Sequence, residues 1–190
     1  MRMDELLDLF DRSGKLVGQT LRHPGRKPEA PAGTYWRVCD VWIVRDNGDI
    51  LSQRRTTGKE PWPGLWANSA GGAVRSGESS EQGCIRETQE ELGITPDPER
   101  GCLAFEFLTE NAIHDIWVFF MDVSPESLTL QPEEVMDARY FSPDQLRRMS
   151  RQGEMVPFGY LDQLLSVLPI LSCAYRPVKE RKDDPDAESL

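Results

Sequence analysis

The sequence predicts a single α/β domain, and three stretches carry that prediction. Two β-rich runs flank Asp46-Asn47-Gly48-Asp49, and Asn-Gly is a favoured turn for a tight β-hairpin. The stretch 80–92 follows a serine and precedes a glycine, which are typical of the start and the end of a helix. The stretch 158–170 places its apolar side chains on one helical face. Because 38% of the 190 residues are hydrophobic, the chain can bury one sizeable core.

The acidic balance of the chain restricts its partners. Its formal net charge is -10, whereas nucleic-acid binders and proteins that bind anionic membranes normally present a basic face. We therefore expect neither a nucleic-acid polymer nor a membrane among the partners. An anionic ligand would have to be held by a local basic site or through a metal ion.

The cysteines and the apolar runs bear on the compartment. The four cysteines are scattered without paired spacing, which is typical of reduced thiols and gives no zinc or redox motif. The sequence shows neither an N-terminal signal nor an apolar run of about 18 residues. We therefore expect a soluble, cytoplasmic protein.

Residues 1–34 are predicted to form an accessory β-hairpin followed by a linker. Two short apolar runs lie on either side of the turn-forming sequence Asp11-Arg12-Ser13-Gly14. Residues 24–33 contain three prolines and two glycines, which indicates a loop.

A basic cluster follows the main hairpin. Arg54 and Arg55 end its second strand, and Lys59 comes shortly after them. Adjacent arginines at a strand end are commonly no more than a solvated edge, but these stand just before an acidic loop in an acidic protein. We therefore predict that Arg54, Arg55 or Lys59 holds the phosphates of a ligand. Trp62 and Trp66 come next, and they either stack on a base or close the core.

Three glutamates share one face of the helix predicted over residues 80–92. Glu87, Glu90 and Glu91 stand at i, i+3 and i+4. One alternative is a solvated surface, which the attractive spacing of Arg86 and Glu90 favours. The Glu87–Glu91 pair, however, is repulsive by about 0.2–0.5 kcal/mol and lies where the helix dipole disfavours negative charge. A hard divalent cation, Mg²⁺ or Mn²⁺, removes both penalties and commonly binds substrate phosphates as well.

The remaining chain supplies further strands and helices. Residues 102–110 and 114–123 are predicted as two paired strands. A strand and then a helix follow around Ser142, where a capping box precedes a proline. The helix over residues 158–170 should cover the sheet, and residues 173–190 are predicted to form a polar, disordered tail. Several polar side chains of the paired strands are most simply solvated: Glu106, Glu110, His114 and Asp115.

The stretch from Gly72 to Ile94 resembles the Nudix box of the Nudix hydrolase superfamily. The fixed positions of that motif are met by Gly72, Glu78, Arg86-Glu87, Glu90-Glu91 and Gly93-Ile94. Thr88 departs from it, since an aliphatic residue is usual there. The resemblance implies an α/β/α sandwich with a mixed β-sheet over residues 35–172.

The same resemblance implies metal ligands. Glu87, Glu90 and Glu91 would bind the metal, and the carbonyl of Gly72 would join them. Their neighbours in the motif, Glu78 and Arg86, would hold the loop against the helix.

In Nudix enzymes a glutamate in a loop outside the box often supplies the general base or a further metal ligand. Glu134 matches best by its place before Val135, and Glu133 is second. Within the box, Glu87 is the alternative base.

The segment from Arg54-Arg55 through WPGLWANSAGG resembles type 1 isopentenyl-diphosphate isomerase, a relative with the same fold. Where that enzyme has Cys-Gly-His after an Asn-Ser pair, this chain has Gly71-Gly72-Ala73. Where it has a metal-binding histidine before an arginine, this chain has Trp36-Arg37. The missing acid and histidine ligands weigh against isomerase activity and favour the isomerase-like branch of Nudix hydrolases.

The sequence therefore predicts Mg²⁺- or Mn²⁺-dependent hydrolysis of a diphosphate linkage, with water attacking phosphorus. The substrate would be a small molecule, a nucleoside diphosphate-type or related organic diphosphate, and a homodimer is compatible with this function. Two alternatives stay open, an isopentenyl-diphosphate isomerase-type enzyme and a non-catalytic Nudix ligand sensor.

Overall fold

The computed structural model describes residues 4–175, and its centre is a six-stranded mixed sheet. Its strands are β3 (Trp36–Val44), β4 (Ile50–Arg55), β5 (Ala70–Ala73), β6 (Gly101–Leu108), β7 (Ala112–Phe120) and β8 (Val135–Phe141). The order is β6-β7-β3-β4-β8, and β5 pairs with β3 beside β4. The β3–β7 pair is parallel and the other pairs are antiparallel, so the mixed sheet is confirmed.

Helices cover both faces of the sheet. They are α1 (Ser80–Leu92), α2 (Pro143–Gln152) and α3 (Leu161–Tyr175). Because side chains alternate along a strand, β3 serves both layers. Trp42 and Val44 pack with α2 and α3, whereas Val41 and Ile43 pack with α1. The predicted α/β/α sandwich is therefore confirmed.

The helix ends follow the sequence signals. The Ser79 side chain accepts a hydrogen bond from the Gln82 backbone, the Gln82 side chain returns one, and Gly93 ends α1 in the left-handed conformation. Ser142 and Gln145 form the same capping box at α2. Both capping serines lie at predicted helix starts, and Ser79 and Gly93 fix where α1, with its acidic face, begins and ends.

The N-terminal hairpin, β1 (Glu5–Phe10) and β2 (Leu16–Arg22), forms a separate two-stranded sheet docked on the domain. Leu7 and Leu9 are buried in a small core that includes Trp36 and Ala73. A backbone hydrogen bond of 2.8 Å joins the Ser76 N–H to the Leu6 carbonyl. The hairpin is thus held against the loop between β5 and α1.

Three features differ from the expectation. β5 was predicted as part of a loop, because the sequence Ala-Gly-Gly-Ala contains no residue typical of strands. In the structure this segment is a strand because it pairs with β3. The terminal helix ends at Tyr175, past the predicted tail boundary at residue 173. The rest of that predicted tail, residues 176–190, lies outside the described residues. Across residues 4–175 every helix is too short or too polar to span a bilayer.

Candidate active site

Two of the three glutamates on α1 are buried where the helix meets β5. Glu87 and Glu91 retain 8% and 1% of their exposure, whereas the Glu90 side chain retains 42%. Removing a carboxylate from water is costly unless partners compensate its charge. The site is therefore defined by what surrounds Glu87 and Glu91.

Glu91 is surrounded by hydrogen-bond donors. Its Oε2 accepts from Gln53 Nε2 at 2.8 Å and from the Gly71 N–H at 3.2 Å. The Lys59 ammonium lies 3.7 Å from its Oε1. Burial nevertheless raises the pKa of Glu91 to about 7, because the donors and Lys59 only partly offset the desolvation and Glu87 repels the charge. The positive charge near the buried Glu91 carboxylate is therefore too small to compensate its burial.

Glu87 lies against the backbone of β5. Its Oε1 is 2.6 Å from Arg86 Nη1, yet burial still raises the pKa of Glu87. A Cβ atom added to Gly72 would stand 2.3 Å from Glu87 Oε1, closer than any real contact. Only glycine therefore lets this strand and the carboxylate approach so closely.

Arg86 joins the loop to the helix, as the resemblance implied. Its Nε and Nη2 donate to the two oxygens of Glu78 at 2.8 and 3.0 Å, and Nη2 also donates to the Ala73 carbonyl at 3.0 Å. Burial acts to raise the pKa of Glu78, but the hydrogen bonds from Arg86 and from the Arg75 N–H prevail and lower it. These bonds fix the geometry of the loop between β5 and α1.

The chemistry of this donor set suits a hard divalent cation. Mg²⁺ and Mn²⁺ prefer carboxylate and carbonyl oxygens as ligands. The backbone of Gly72 lies close to the Glu87 carboxylate, so both kinds of oxygen are available here. Within residues 4–175, no three His, Cys, Asp or Glu side chains already surround one point as metal ligands. Each glutamate is instead turned to a protein group, such as Arg86 for Glu87 or Arg75 at 3.5 Å for Glu90.

Lys59 connects the acidic helix with Glu134. Its ammonium pairs with the Glu134 carboxylate and with Glu91. Glu134 is buried rather than open to solvent, with 4% of its surface exposed, and the Thr56 N–H donates to its carbonyl at 3.0 Å. Glu133 is exposed and contributes its carbonyl to the Thr56 hydroxyl at 3.2 Å. Of the two loop glutamates, Glu134 is the one brought to the site.

The two predicted phosphate-binding arginines brace a turn. Arg54 Nε donates to the Gly64 carbonyl at 3.0 Å. Arg55 donates to the carbonyls of Pro61 and Trp62 at 2.7 and 3.1 Å. Their guanidinium groups are therefore directed to the backbone of residues 61–64.

A cavity of about 550 Å³ opens over the acidic face of α1. Glu87, Glu90 and Glu91 line it together with Gly71 and Gly72 of β5. The further charged side chains that line it are Asp4, Glu5, Arg22, Lys59 and Arg75. Of the predicted basic cluster Arg54, Arg55 and Lys59, it is Lys59 that lines the cavity. The N-terminal hairpin forms part of the cavity wall.

The tryptophans lie outside this cavity lining. Trp66 packs edge-on against Phe141 with ring centroids 4.8 Å apart, which is a role in the core. Trp62 is 43% exposed and has a positive φ of 67° in the turn that Arg55 braces.

The sequence did not predict a buried polar network that lies on the sheet. Asp40 accepts from Tyr160 at 2.8 Å and lies 2.8 Å from His114 Nδ1. Burial lowers the pKa of His114, but the bond to Asp40 prevails and raises it. On the opposite face Asp115, 1% exposed, accepts from Arg37 at 2.6 Å. His114 and Asp115 are therefore packed network members, not solvated residues, which only the pairing of β3 with β7 reveals.

The fold and this site define a class of protein. An α/β/α domain here carries buried carboxylates on a helix that follows a glycine-rich strand, facing a cavity with lysine and arginine. That arrangement is suited to binding a charged small molecule through a cation and basic side chains.

The comparisons with known proteins identify the family. The NUDIX domain model matches residues 34–159. An uncharacterized Nudix hydrolase of Listeria monocytogenes is 38% identical over 160 residues, covering 84% of this chain and 93% of the relative. The chain therefore belongs to the Nudix family and is a hydrolase of that family, whose members act on diphosphate-containing substrates.

Two further relatives refine the placement. A crystal structure of a Deinococcus radiodurans protein superposes with a TM-score of 0.69 at 26% identity, covering 85% of this chain and 98% of that one. An isopentenyl-diphosphate Δ-isomerase of Streptomyces coelicolor is 28% identical over 155 residues, covering 77% of this chain and 76% of the relative. The similarity to the isomerase agrees with the predicted isomerase-like branch.

Proposed function

We propose that this protein hydrolyses the diphosphate linkage of a nucleoside diphosphate-type or related organic diphosphate with the help of Mg²⁺. One observation supports this most: Glu87, Glu90 and Glu91 line one cavity together with Gly72, and two of these carboxylates are buried. Burial raises the pKa of Glu91, because its carboxylate is short of compensating positive charge. A divalent cation bound there supplies the missing charge, and the cation in turn attracts phosphate oxygens.

The proposed metal site consists of Glu87, Glu90, Glu91 and the carbonyl of Gly72. Mg²⁺ held there would neutralise phosphate charge and acidify or position water. Among the protein groups, Arg86 holds Glu87 in place and Gln53 holds Glu91. These contacts keep the ligands oriented before the substrate arrives.

Glu134 is the proposed general base, with Glu87 as the alternative. Glu87 would be committed as a metal ligand, whereas Glu134 is joined to the site through Lys59. If the ammonium of Lys59 turns toward a phosphate of the substrate, the Glu134 carboxylate is left with a lone pair for a proton of the attacking water. Lys59 would then have two duties, holding the base in the free enzyme and the substrate in the complex.

A panel of organic diphosphates tests the proposed function. Phosphate-product release should require Mg²⁺ and should stop when the metal is chelated. A panel that includes nucleoside diphosphates, sugar nucleotides and isoprenoid diphosphates identifies the class of substrate. Tight binding of these compounds without release under Mg²⁺ or Mn²⁺ would instead support the sensor alternative.

Replacing Gly72 by alanine tests the close approach of β5 to the metal site. The new Cβ would meet Glu87 Oε1 at 2.3 Å and displace the carboxylate. We expect Mn²⁺ affinity, measured from the electron paramagnetic resonance signal of free Mn²⁺, to fall by about 10- to 100-fold. Gly18→Ala in β2 is the matched control, because a Cβ there meets open space. Unchanged Mn²⁺ affinity in Gly72→Ala would remove this strand from the metal site.

Single replacements of the three predicted basic residues by methionine test phosphate binding. We expect the largest effect from Lys59→Met, a rise in KM or a fall in kcat of about 10- to 100-fold, because Lys59 lines the cavity. Smaller effects are expected at Arg54 and Arg55, which brace the turn. Lys15→Met, in the N-terminal turn, is the control. Kinetics unchanged by all three replacements would place the phosphate site elsewhere.

The structure adds an argument against isomerase chemistry. Gly71 stands where the isomerase has its cysteine, and a Cβ at this position would lie 2.7 Å from the Cys39 carbonyl and 2.9 Å from Asn68 Nδ2. A cysteine side chain does not fit there without movement of the backbone. Hydrolysis is therefore favoured over isomerisation as the reaction of this protein.

A further inference from the structure

Two arginines on one wall of the cavity share a single carboxylate. Arg22 Nη1 lies 3.3 Å from Glu5 Oε2, and Arg75 donates through Nε and Nη2 to Glu5 Oε1 at 3.2 and 3.1 Å. Arg22 and Glu5 are cross-strand partners in the N-terminal hairpin, while Arg75 belongs to the loop before α1. All three line the cavity that opens over the acidic face of α1.

This wall is held in place by hydrogen bonds. Asp8 accepts from Gln19 at 3.0 Å, from the Ser76 hydroxyl at 2.7 Å and from the Gly77 N–H at 3.1 Å. These bonds keep the pKa of Asp8 low despite some desolvation. Together with the backbone bond from Ser76 to Leu6, they tie the hairpin to the loop that carries Arg75. The two guanidinium groups are thus positioned before any ligand binds, which reduces the entropic cost of binding.

This wall brings two guanidinium groups together in the cavity. Glu5 offsets one of the two guanidinium charges of Arg22 and Arg75. Asp4 also lines the cavity, and its Oδ1 lies 2.9 Å from His23 Nδ1. Lys59, by contrast, faces two carboxylates, those of Glu91 and Glu134. Arg75 is also 3.5 Å from Glu90, which places the wall directly beside the proposed metal ligands.

We propose that Arg22 and Arg75, positioned by Glu5, form a phosphate-binding subsite of the cavity. The inference rests on the proposed function and deepens it, because the subsite would take the phosphate group of an organic diphosphate that is not held by the metal. Guanidinium groups bind phosphate oxygens through two parallel hydrogen bonds, and two of them converge here. Glu5 is a positioning residue, since its two oxygens set the spacing between the arginines.

The subsite gives the N-terminal hairpin a role in substrate recognition. A diphosphate that spans from α1 to this wall would contact β2 through Arg22, so the rest of the substrate would lie along the hairpin. Leu6, which is 45% exposed and lines the same cavity, would provide an apolar surface there.

Binding of methylene diphosphonate tests the inference, because its bridging carbon prevents hydrolysis. Calorimetric titration in Mg²⁺ would compare the unmodified protein with Arg22→Gln, Arg75→Gln and the control Arg12→Gln. Arg12 lies in the turn at the far end of the same hairpin. We expect affinity to fall by about 10- to 100-fold in Arg22→Gln and Arg75→Gln, with no change in Arg12→Gln. Arg22→Lys should recover part of the lost affinity, because lysine restores the positive charge but cannot make the two parallel hydrogen bonds of a guanidinium group.

Two outcomes would overturn the inference, and they are distinguishable. If the unmodified protein binds methylene diphosphonate and neither Arg22→Gln nor Arg75→Gln weakens it, the subsite is wrong while the proposed function stands. If the unmodified protein neither binds it nor hydrolyses any diphosphate, both fail. Mn²⁺ affinity and thermal unfolding of each variant, measured in parallel, separate loss of the subsite from loss of the metal site or of the fold.

Discussion

Replacing Glu91 by glutamine is expected to lower turnover strongly and, at pH 8 without metal, to stabilise the protein. Loss of a metal ligand removes several kcal/mol of transition-state stabilisation, so turnover should fall on the order of 1,000-fold. The stability effect follows from burial. Burial raises the pKa of Glu91 to about 7 in the folded protein, while an unfolded glutamate titrates near about 4.3.

The sign of the pH dependence is fixed by these two values. Between them the folded protein binds more protons than the unfolded chain, so the free energy of unfolding decreases as pH rises from about 4.3 to about 7. The ionised form costs about 4 kcal/mol at full effect, at about 1.4 kcal/mol for each pH unit between the two pKa values. Glutamine has nearly the same shape without the charge. We therefore expect a flatter stability profile in Glu91→Gln than in the unmodified protein.

Denaturant unfolding at pH 5 and pH 8 in the presence of a chelator measures this effect. Glu81→Gln, in the first turn of the same helix, is the control. Lys59 keeps Glu134 as a partner in Glu91→Gln, so the substitution does not leave an unpaired buried cation. A Glu91→Gln protein that is less stable at both pH values, and whose folded fraction retains full activity, would make the helix structural only.

Replacing Glu134 by glutamine is expected to lower turnover by roughly 100- to 10,000-fold, the range for loss of a general base. The affinity for Mg²⁺ should remain nearly unchanged, because Glu134 is not among the proposed ligands. The limb of the pH–rate profile that reports the base should disappear. Activity and Mn²⁺ affinity are measured on the same preparation.

The ion pair between Lys59 and Glu134 calls for a further comparison. If Glu134 only holds Lys59, then Lys59→Met and Glu134→Gln should reduce turnover equally, and the double variant should lose no more than either. If Glu134 is the base, its replacement lowers kcat beyond the effect of Lys59→Met. Near-normal turnover of Glu134→Gln at saturating Mg²⁺ would return the role to Glu87 or Glu133.

The local features of this protein were largely predictable from its sequence. The Asn-Gly turn, the Ser79 cap and Gly93 each act over a few residues, and the structure has the expected hairpin and helix at these places. The sandwich and the family followed from the long motif between Gly72 and Ile94.

The features that depend on distant pairing were not predictable. β5 is a strand only because β3 offers it hydrogen bonds, and the contact between Asp40 and Tyr160 joins residues that are 120 positions apart in the sequence. The burial of Glu134 under Lys59 likewise depends on how two loops meet. The N-terminal hairpin was expected as an accessory, and its carboxylate at Glu5 reaches the cavity because the hairpin docks beside β5.

Hydrolysis in ¹⁸O-labelled water tests the central claim most directly. With a diphosphate that the protein turns over, Mg²⁺-dependent reaction should place one ¹⁸O atom in a phosphate product, since water attacks phosphorus. Glu91→Gln should show no incorporation under the same conditions. Rearranged substrate that keeps its diphosphate and contains no ¹⁸O in phosphate, formed by the unmodified protein, would contradict the account.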